Sequence, residues 1–391
     1  MITSHCCQGA SVLASLRSTC RPKIGAAPPK PFSSEAGVAD QRCPGLRRIL
    51  LKRLILAVLV FGISGTVTAD EELNGRIDAG VRRAVQWLAS QQQPSGAWTT
   101  EQYGESTSAT SLAVMAFMAA GHVPEEGPYG RNISKGVAWV LSEQQPDGLL
   151  VGTRRSHGPM YSHGIATLML AEVAGMVAPE QNDRCRTALE RATKLIVDAQ
   201  NHPKSGIHDG GWRYQPTSGD ADLSVTAWQL LALRAAKDIG CDIPSQNIDR
   251  AIAYIKRLRV ERGGGFGYMA GHGATVTRAG TGIVALEVCG EHRTNETMAA
   301  ARYILNQPLR EQEHYFYYGA YYCTVGMFKI GGDEWQTARP VLYETILNMQ
   351  DPSGRWRATQ GSERGAGDVY ATSMALLALC IEYGYLPIYQ R

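Results

Sequence analysis

The chain has 391 residues, of which 44% are apolar, so it can bury one large hydrophobic core or two ordinary ones. Its formal charge of +3 comes from one end. Nine of the 39 Lys and Arg residues precede Asp70, but only two of the 36 Asp and Glu residues do. Residues 70–391 therefore contain 30 basic and 34 acidic side chains. This slightly acidic balance excludes nucleic acid as a partner on electrostatic grounds.

Residues 1–46 are rich in Ser, Pro and Cys and have no apolar period, which is typical of a disordered leader. Segment 47–69 then combines four basic residues, an apolar run and small residues before Asp70, as a signal peptide does. An uncleaved membrane anchor is the alternative, although about 14 apolar residues are short for a span. The sequence predicts an exported protein, periplasmic or membrane-anchored, in which 70–391 forms one domain.

From residue 77 onward, apolar residues recur with a helical period, without convincing strand alternation. Glycine-containing turns recur roughly every 50 residues, which indicates a long repeat. Amphipathic helices are predicted before the turns, at 81–92, 134–143, 185–199, 248–258, 298–305 and 338–349. Helices rich in Ala, Gly, Ser and Thr are predicted after them, at 108–120, 163–177, 223–238, 277–289, 318–330 and 370–383.

Six hairpins built from two helix classes fit an outer and an inner ring, because small side chains let crowded inner helices approach each other. A circle of six hairpins leaves no apolar end exposed, unlike an open solenoid. The predicted fold is therefore all-α: a closed (α/α)6 toroid of six helical hairpins, preceded by a disordered leader and a signal or anchor segment.

Two of the turns read Gln-x-x-x-Gly-x-Trp, at 92–98 and 350–356. They resemble the repeats shared by squalene–hopene and oxidosqualene cyclases and by the β-subunits of protein prenyltransferases, and the resemblance covers 75–391. It implies the fold of terpenoid-cyclase-like toroids. The Gln side chain is expected to satisfy backbone groups at helix ends, and the Trp side chain to seal adjacent hairpins.

In such a toroid the inner helices begin around one mouth of the central cavity, so the residues near their starts should converge there. Trp212 stands in the turn before the third inner helix. The residues near the helix starts are polar or aromatic: Thr107, Ser108, Ser162, His163, Asp220, Asp222, Thr277, Arg278, Tyr317, Tyr318, Asp368 and Tyr370. They predict a pocket for a large apolar ligand with one polar or reactive end.

The segment Asp220-Ala-Asp222-Leu223 resembles the Asp-x-Asp-Asp motif of class II terpene cyclases. The resemblance implies that Asp222 protonates an alkene or epoxide with Asp220 as its partner. Leu223 stands where the motif has a further acid. A second interpretation is that Asp222 is the N-cap of the following helix. The two roles are compatible.

Protein prenyltransferases hold zinc with an Asp, a Cys and a His, and the last of these lies in an Asp-x-Tyr-His stretch. This chain has Ala371 at that His position, after Asp368 and Tyr370, and Cys323 lacks an Asp two residues before it. Prenylation of proteins is therefore not expected. Paired Asp-rich magnesium motifs are missing as well, and neither a metal nor another cofactor is predicted.

Three functions remain open. The first is an exported cyclase-like protein whose cavity binds an isoprenoid, with cyclisation initiated by Asp222. The second is a non-catalytic toroid that binds a lipid, a glycan or a protein. The third is a polysaccharide hydrolase or lyase that uses Asp222 and Asp368 as paired carboxylates. An apolar small molecule or lipid is the expected partner, with membrane contact through the N-terminal segment if that segment is not cleaved.

Overall fold

The computed structural model describes residues 69–152 and 158–390, which belong to one compact unit, Val67–Arg391. The leader and nearly all of the signal segment lie outside the described residues. None of the helices within the described ranges is long and apolar enough to cross a membrane.

The described residues contain twelve α-helices, which confirms the all-α prediction: α1 Ala69–Ser90, α2 Thr107–Ala119, α3 Gly130–Ser142, α4 Pro159–Val173, α5 Pro179–Asn201, α6 Leu223–Asp238, α7 Ser245–Arg257, α8 Val276–Glu287, α9 Asn295–Asn306, α10 Phe316–Ile330, α11 Gly332–Leu347 and α12 Glu363–Leu379. Short 3-10 helices lie at Gly206–His208, Ile381–Tyr383 and Pro387–Tyr389. Two short strands, β1 Thr99–Thr100 and β2 Gly104–Glu105, form an antiparallel pair in the first turn.

The helices fall into two classes that alternate along the chain. In α1 the buried residues follow one stripe that includes Leu73, Ile77, Val81 and Leu88, which leaves the opposite face in water. In α2 every residue from Ala109 to Ala119 is buried, so this helix is enclosed on all sides. The even-numbered helices are therefore the inner ones, and the odd-numbered helices cover them.

Neighbouring inner helices contact each other in chain order, from α2 to α4 and on to α12, and α12 also contacts α2. The outer helices pack on the inner ones, and α1 at the start of the described chain packs on α12 and on α11. Several side-chain contacts join α1 to the last hairpin; for example, Arg76 Nη1 is 2.6 Å from Glu344 Oε1, and Gln350 Nε2 donates to Gly80 O at 2.9 Å.

Each glutamine of the repeated turns makes the same pair of bonds. Gln92 Nε2 donates to Gly96 O at 2.8 Å and to Asn132 O on α3 at 2.9 Å. Gln144, Gln200 and Gln350 repeat this pattern. The side chain thus satisfies backbone carbonyls of its own turn and of the next outer helix. The carbonyls of Gly80 and Ala188 lie within their helices, whereas the sequence predicted groups at helix ends.

The glycine of these turns is required by close packing. Gly96 has φ of 98°, and a Cβ there would lie 2.7 Å from Lys135 O on the next outer helix. Gly354 has φ of 96° and meets Arg83 O of α1 in the same way, at 2.5 Å. Each turn therefore docks on the backbone of the following hairpin.

The tryptophans of the turns hold the inner helices in a fixed rotation. Trp98 Nε1 donates to Leu88 O at 2.8 Å, and its backbone N donates to Thr110 Oγ1 on α2 at 2.9 Å. Trp212 and Trp356 repeat both bonds, with Thr226 on α6 and Thr372 on α12. The threonine face of these three inner helices therefore points outward, toward the turn.

Candidate functional site

The side chains that face the axis at the mouth carry hydroxyl groups. A helix turns by about 200° in two residues, so the residue two positions before each outward-facing threonine faces the axis. These residues are Ser108 on α2, Ser224 on α6 and Tyr370 on α12. On α4 the outward position is His163, which accepts a hydrogen bond from Leu150 N, so Tyr161 is the residue that faces the axis.

The phenols of this layer meet across the axis. Ser224 on α6 interacts with the hydroxyl groups of both Tyr161 on α4 and Tyr318 on α10, although α8 stands between α6 and α10 in the order of the inner helices. Thr281 Oγ1 donates to Tyr318 OH at 3.3 Å. Burial raises the pKa of Tyr318 to about 12 and that of Tyr161 well above its ordinary value, so both remain neutral phenols at physiological pH.

Below this layer the axis is filled by aromatic side chains. Trp228 stacks on Tyr321 with 5.7 Å between ring centroids and 4° between planes, and Tyr322 packs edge-on against the same indole at 5.6 Å. All three residues are buried. The apolar hole expected from the sequence is therefore occupied at this level, and a ligand of the mouth would lie above Trp228.

The chain closes the opposite end of the axis with its own C-terminal segment. Ile388 N donates to Glu172 Oε2 on α4 at 3.2 Å, and the hydroxyl of Tyr389 contacts that of Tyr321. Glu172 is 2% exposed, and its burial raises its pKa to about 8. This carboxyl is covered by backbone, so it is not accessible from the mouth.

Asp222 is the N-cap of α6, as one interpretation of the sequence predicts. Its φ and ψ are −134° and 163°, and its Oδ1 accepts a hydrogen bond from Val225 N at 2.9 Å. The side chain is fully buried, and its Oδ2 has no hydrogen-bond partner among the described residues. Burial raises the pKa of Asp222 to about 6, against the opposing effects of the Val225 hydrogen bond, of Arg213 and of the neighbouring Tyr268 hydroxyl, which lies too far from the carboxyl for a well-formed hydrogen bond.

Arg213 links Asp222 to Asp220, and no sequence pattern singles it out. Its Nε lies 3.4 Å from Asp222 Oδ2, and its Nη1 lies 3.4 Å from Asp220 Oδ2. The guanidinium stacks over the rings of Tyr214 and Tyr268, at 4.8 and 5.5 Å from their centroids. The two phenol hydroxyls are 2.8 Å apart, which joins the rings into one wall beside Asp222.

A second buried carboxyl, Glu363, was also missed. It accepts hydrogen bonds from Tyr318 N at 2.9 Å and Tyr317 N at 3.2 Å, and from the hydroxyl of Tyr370 at 3.2 Å. It therefore caps the start of α10 from α12. Burial raises the pKa of Glu363 to about 7 in spite of these bonds. Its link to Tyr370 places it at the mouth, in a different hairpin from Asp222.

The structure separates the sequence-predicted residues into two groups. Asp222, Asp220, Tyr318 and Tyr370 lie around the mouth. Arg278 joins them, because its guanidinium is 5.6 Å from the centroid of the Tyr268 ring. These are the residues that the fold brings together.

The other predicted residues make structural bonds. Both ring nitrogens of His163 bond to backbone, Nδ1 to Leu150 N and Nε2 to Ala192 O, each at 3.1 Å. Burial lowers the pKa of His163 to about 4, so it is neutral. Tyr317 OH donates to Arg357 O at 2.9 Å.

Asp368, which follows the kink at Gly367 in α12, and Trp212, which lies in a turn, also make structural bonds. Asp368 Oδ1 accepts from Ala358 N at 2.9 Å, and Oδ2 pairs with Arg355 Nη1 at 3.1 Å. Trp212 Nε1 donates to Ile196 O at 2.8 Å. The Asp368 carboxylate is thus directed to a turn and to Arg355, and the Trp212 indole to the backbone of α5.

The described residues contain no group of three or more His, Cys, Asp or Glu placed to hold a metal ion. Two grooves on the outer surface, with volumes of about 650 and 300 Å³, are lined by none of the residues of the mouth. We assign the candidate site to the mouth because the buried Asp222 carboxyl, with its raised pKa, lies there beside Arg213.

Comparisons with known proteins agree with the fold. The family model for the prenyltransferase alpha-alpha toroid domain matches residues 51–209, 199–316 and 299–387. Comparison with curated proteins gives no significant match.

Solved structures with the same fold have different activities. An inactive variant of the alpha-1,6-mannanase GH76A of Salegentibacter sp. HEL1_6, in complex with alpha-1,6-mannotriose, has a TM-score of 0.59 and 7% identity, over 78% of this chain and 98% of its own. A variant of the type II terpene cyclase MstE from Scytonema, in complex with geranylgeranyl dihydroxybenzoate, has a TM-score of 0.50 and 14% identity, over 81% and 99%. At these identities the likeness concerns the fold alone. The match to the family model covers most of the sequence, and the chain therefore belongs to the family of the prenyltransferase alpha-alpha toroid domain.

Proposed function

We propose that this protein binds an isoprenoid-like apolar ligand at the mouth of the toroid and that Asp222 protonates it to initiate cyclisation. The observation that carries this proposal is the state of Asp222. One of its carboxyl oxygens caps α6, and the other is buried 3.4 Å from Arg213 Nε, in an ion pair but without a hydrogen bond in the described part of the chain.

Protonation of an alkene requires a carboxylic acid that keeps its proton in a dry site. The full burial of Asp222 and its raised pKa of about 6 favour the protonated form. Phenol rings of Tyr161, Tyr318 and Tyr370 surround the mouth and offer π-faces to a developing carbocation. The filled axis below Trp228 limits the ligand to the mouth layer.

We further infer that the twelve helices form a closed ring of six hairpins. The contacts of α12 with α2 and of α11 with α1 support closure, as does the bond from Gln350 to Gly80. A closed ring would hold the six starts of the inner helices in fixed positions. Such rigidity suits a site whose acid must be pre-oriented.

Export is part of the proposal. Segment 47–69 is proposed to direct the chain across a membrane, and to keep it attached there if it is not cleaved. Cell fractionation followed by N-terminal sequencing of the isolated protein tests this. A soluble cytoplasmic protein that still begins at residue 1 would overturn it.

Mass spectrometry of organic extracts from the purified full-length protein tests the catalytic proposal. We expect an isoprenoid or its cyclised product to co-purify with the parent, and the uncyclised precursor to accumulate in Asp222→Asn, since the amide keeps the cap but has no acidic proton. Asp368→Asn is the matched control, because Asp368 also accepts a backbone N–H but is paired with Arg355. The absence of lipid from all three preparations would overturn the proposal. The same ligand in all three would indicate a non-catalytic toroid.

A second candidate, hydrolysis of a glycan, is favoured by Glu363. A glycosidase needs two carboxyl groups, an acid and a base or nucleophile, and the mouth has Asp222 and Glu363 with raised pKa values of about 6 and 7. Release of reducing ends from an alpha-linked mannan by the parent, and its loss in Asp222→Asn, would favour this function over the first.

A further inference from the structure

Arg213 shares one positive charge between two carboxylates of different exposure. Both contacts are 3.4 Å long, to Asp220 Oδ2 and to Asp222 Oδ2. The side chain of Asp220 is 47% exposed, whereas that of Asp222 is fully buried. The guanidinium therefore stands at the boundary between water and the buried acid.

The guanidinium of Arg213 is confined by its neighbours. Its guanidinium lies over the rings of Tyr214 and Tyr268, and its Nη1 is 3.5 Å from Met269 Sδ. A planar cation held against two rings can move toward one carboxylate or the other but cannot leave without losing these contacts. A small displacement would thus strengthen one ion pair and weaken the other.

The other ionisable groups that face Asp222 are neutral or more distant. They are phenols from four elements packed around it, whose pKa values are all raised by burial: Tyr161, Tyr254, Tyr268 and Tyr318. Arg278 stacks on the ring of Tyr268 and makes no ion pair with Asp222. Among the described residues, Arg213 is therefore the cation in contact with this carboxyl.

We propose that Asp220 controls how firmly Asp222 holds its proton by acting through Arg213. Ionised Asp220 draws the guanidinium toward solvent and leaves the Oδ2 atom of Asp222 free to carry a proton. Without the charge of Asp220, the guanidinium pairs fully with Asp222 and stabilises its anion. Asp220 and Arg213 are thus positioning residues for the acid, a role that rests on the proposed function of Asp222.

Titration of the Asp222 carboxyl tests this without any substrate. The full-length protein is labelled with ¹³C at the aspartate carboxyls, and the Asp222 signal is assigned by its loss in Asp222→Asn. We expect Arg213→Gln to raise the titration midpoint by about one pH unit, since an opposite charge at this distance favours the anion. Asp220→Asn should lower the Asp222 midpoint when Arg213 is present. In the Arg213→Gln background, the same substitution should lower it by less than half of that amount.

Equal shifts from Asp220→Asn in both backgrounds would overturn the proposal, because Asp220 would then act on Asp222 by its own charge alone. An unchanged midpoint in Arg213→Gln would also overturn it. If Arg213→Gln does not fold, Arg213→Lys replaces it, since one ammonium cannot bridge both acids as a fork does, and the coupling to Asp220 should again fall.

Arg257→Gln is the matched control. Arg257 also stacks on a tyrosine, at 5.6 Å from the centroid of the Tyr254 ring, and it donates to Asp209 O. Its loss should leave the Asp222 titration unchanged. The titration and the lipid extracts test different claims. If the Asp222 titration shifts as proposed but no cyclised product depends on Asp222, the cyclase function is contradicted and the coupling of Asp220, Arg213 and Asp222 still stands.

Discussion

The two ends of the axis both contain buried carboxyls, yet their surroundings differ. At the far end, Glu172 accepts a hydrogen bond from Ile388 N and is covered by the C-terminal segment. At the mouth, Asp222 has one oxygen bonded to the start of α6 and one without a hydrogen-bond partner in the described chain. Both have raised pKa values, so desolvation alone does not distinguish a structural carboxyl from a catalytic one.

The difference lies in what covers each group. Backbone of the same chain seals Glu172, whereas Asp222 is bordered by side chains of Arg213, Tyr268 and Tyr161 that a ligand could displace or contact. Side chains rearrange at lower cost than a buried backbone segment. We therefore expect the two ends to respond differently to substitution.

The largest loss of stability is expected from the aromatic stack that fills the axis between its two ends. Trp228→Ala would remove the indole that stacks on Tyr321 and leave a cavity in the axis, and we expect a loss of about 3–5 kcal/mol in the free energy of unfolding. Urea unfolding measures this. Trp87→Ala, on the half-buried face of α1, is the control and should cost less than half as much. Equal losses would show that the axial stack is not what holds the inner ring together.

Turn chemistry made the fold predictable from the sequence, because each repeat carries its own glutamine and glycine. The cap role of Asp222 was also predictable, since it depends on the three residues that follow it. Both features are local. A short segment therefore contains the information that determines them.

The rest of the site depends on contacts between distant segments. Tyr161 was missed because the helix was predicted from residue 163, whereas Pro159 starts α4 four residues earlier. Glu363 precedes a kink at Gly367, with φ of 87°, and reaches the start of α10 from there. No pattern in the sequence indicates that Glu363 contacts the start of α10.

A smaller effect on stability is expected from the ionisation of Glu172, at the end of the axis that the C-terminal segment covers. The pKa of Glu172 is about 8 in the folded protein against an ordinary 4.5, so unfolding releases a proton between these pH values and stability falls as pH rises. Glu172→Gln removes this dependence. Its stability relative to the parent should increase from pH 4.5 to pH 8, by an amount on the order of a few kcal/mol. Thermal unfolding across this range measures it, with the exposed Glu344→Gln as control. Parallel curves for the parent and Glu172→Gln would contradict the prediction.

At the mouth, substitution of Asp222 should change stability less than substitution of Glu172. The change has two contributions, the titration of the carboxyl and the cap of α6. The folded pKa of Asp222, about 6, lies above its ordinary 3.8, so the parent loses stability as pH rises through this window. Asp222→Asn should abolish that loss and keep the cap. Asp222→Ala should also lose the cap, at a cost of about 0.5–2 kcal/mol that is visible below pH 4.

Thr275→Ala is the matched control for these two variants. Thr275 caps α8 through a hydrogen bond from Arg278 N at 3.3 Å and has no charge to titrate. Its loss should therefore lower stability equally at every pH. If Asp222→Ala behaved in the same way, Asp222 would be a cap whose proton plays no part in folding.

The smallest effect is expected at the hydroxyl of Tyr370. Tyr370→Phe removes one of the three hydrogen bonds to Glu363 and leaves those from Tyr317 N and Tyr318 N, so we expect a loss of about 0.5–1.5 kcal/mol. Because that bond favours the carboxylate, the pKa of Glu363 should also rise above its present value of about 7.

Tyr343→Phe provides the comparison, since Tyr343 donates to Glu382 at 3.2 Å on the outside of the ring. It should cost a similar amount of stability without moving the Glu363 titration, which carboxyl-labelled NMR follows. A rise of the Glu363 midpoint in Tyr370→Phe but not in Tyr343→Phe would show that the layer of hydroxyls at the mouth sets the protonation of the carboxyl behind it. An unchanged midpoint in both would make Glu363 a helix cap that is independent of the mouth, and would leave Asp222 as the acid on which the site depends.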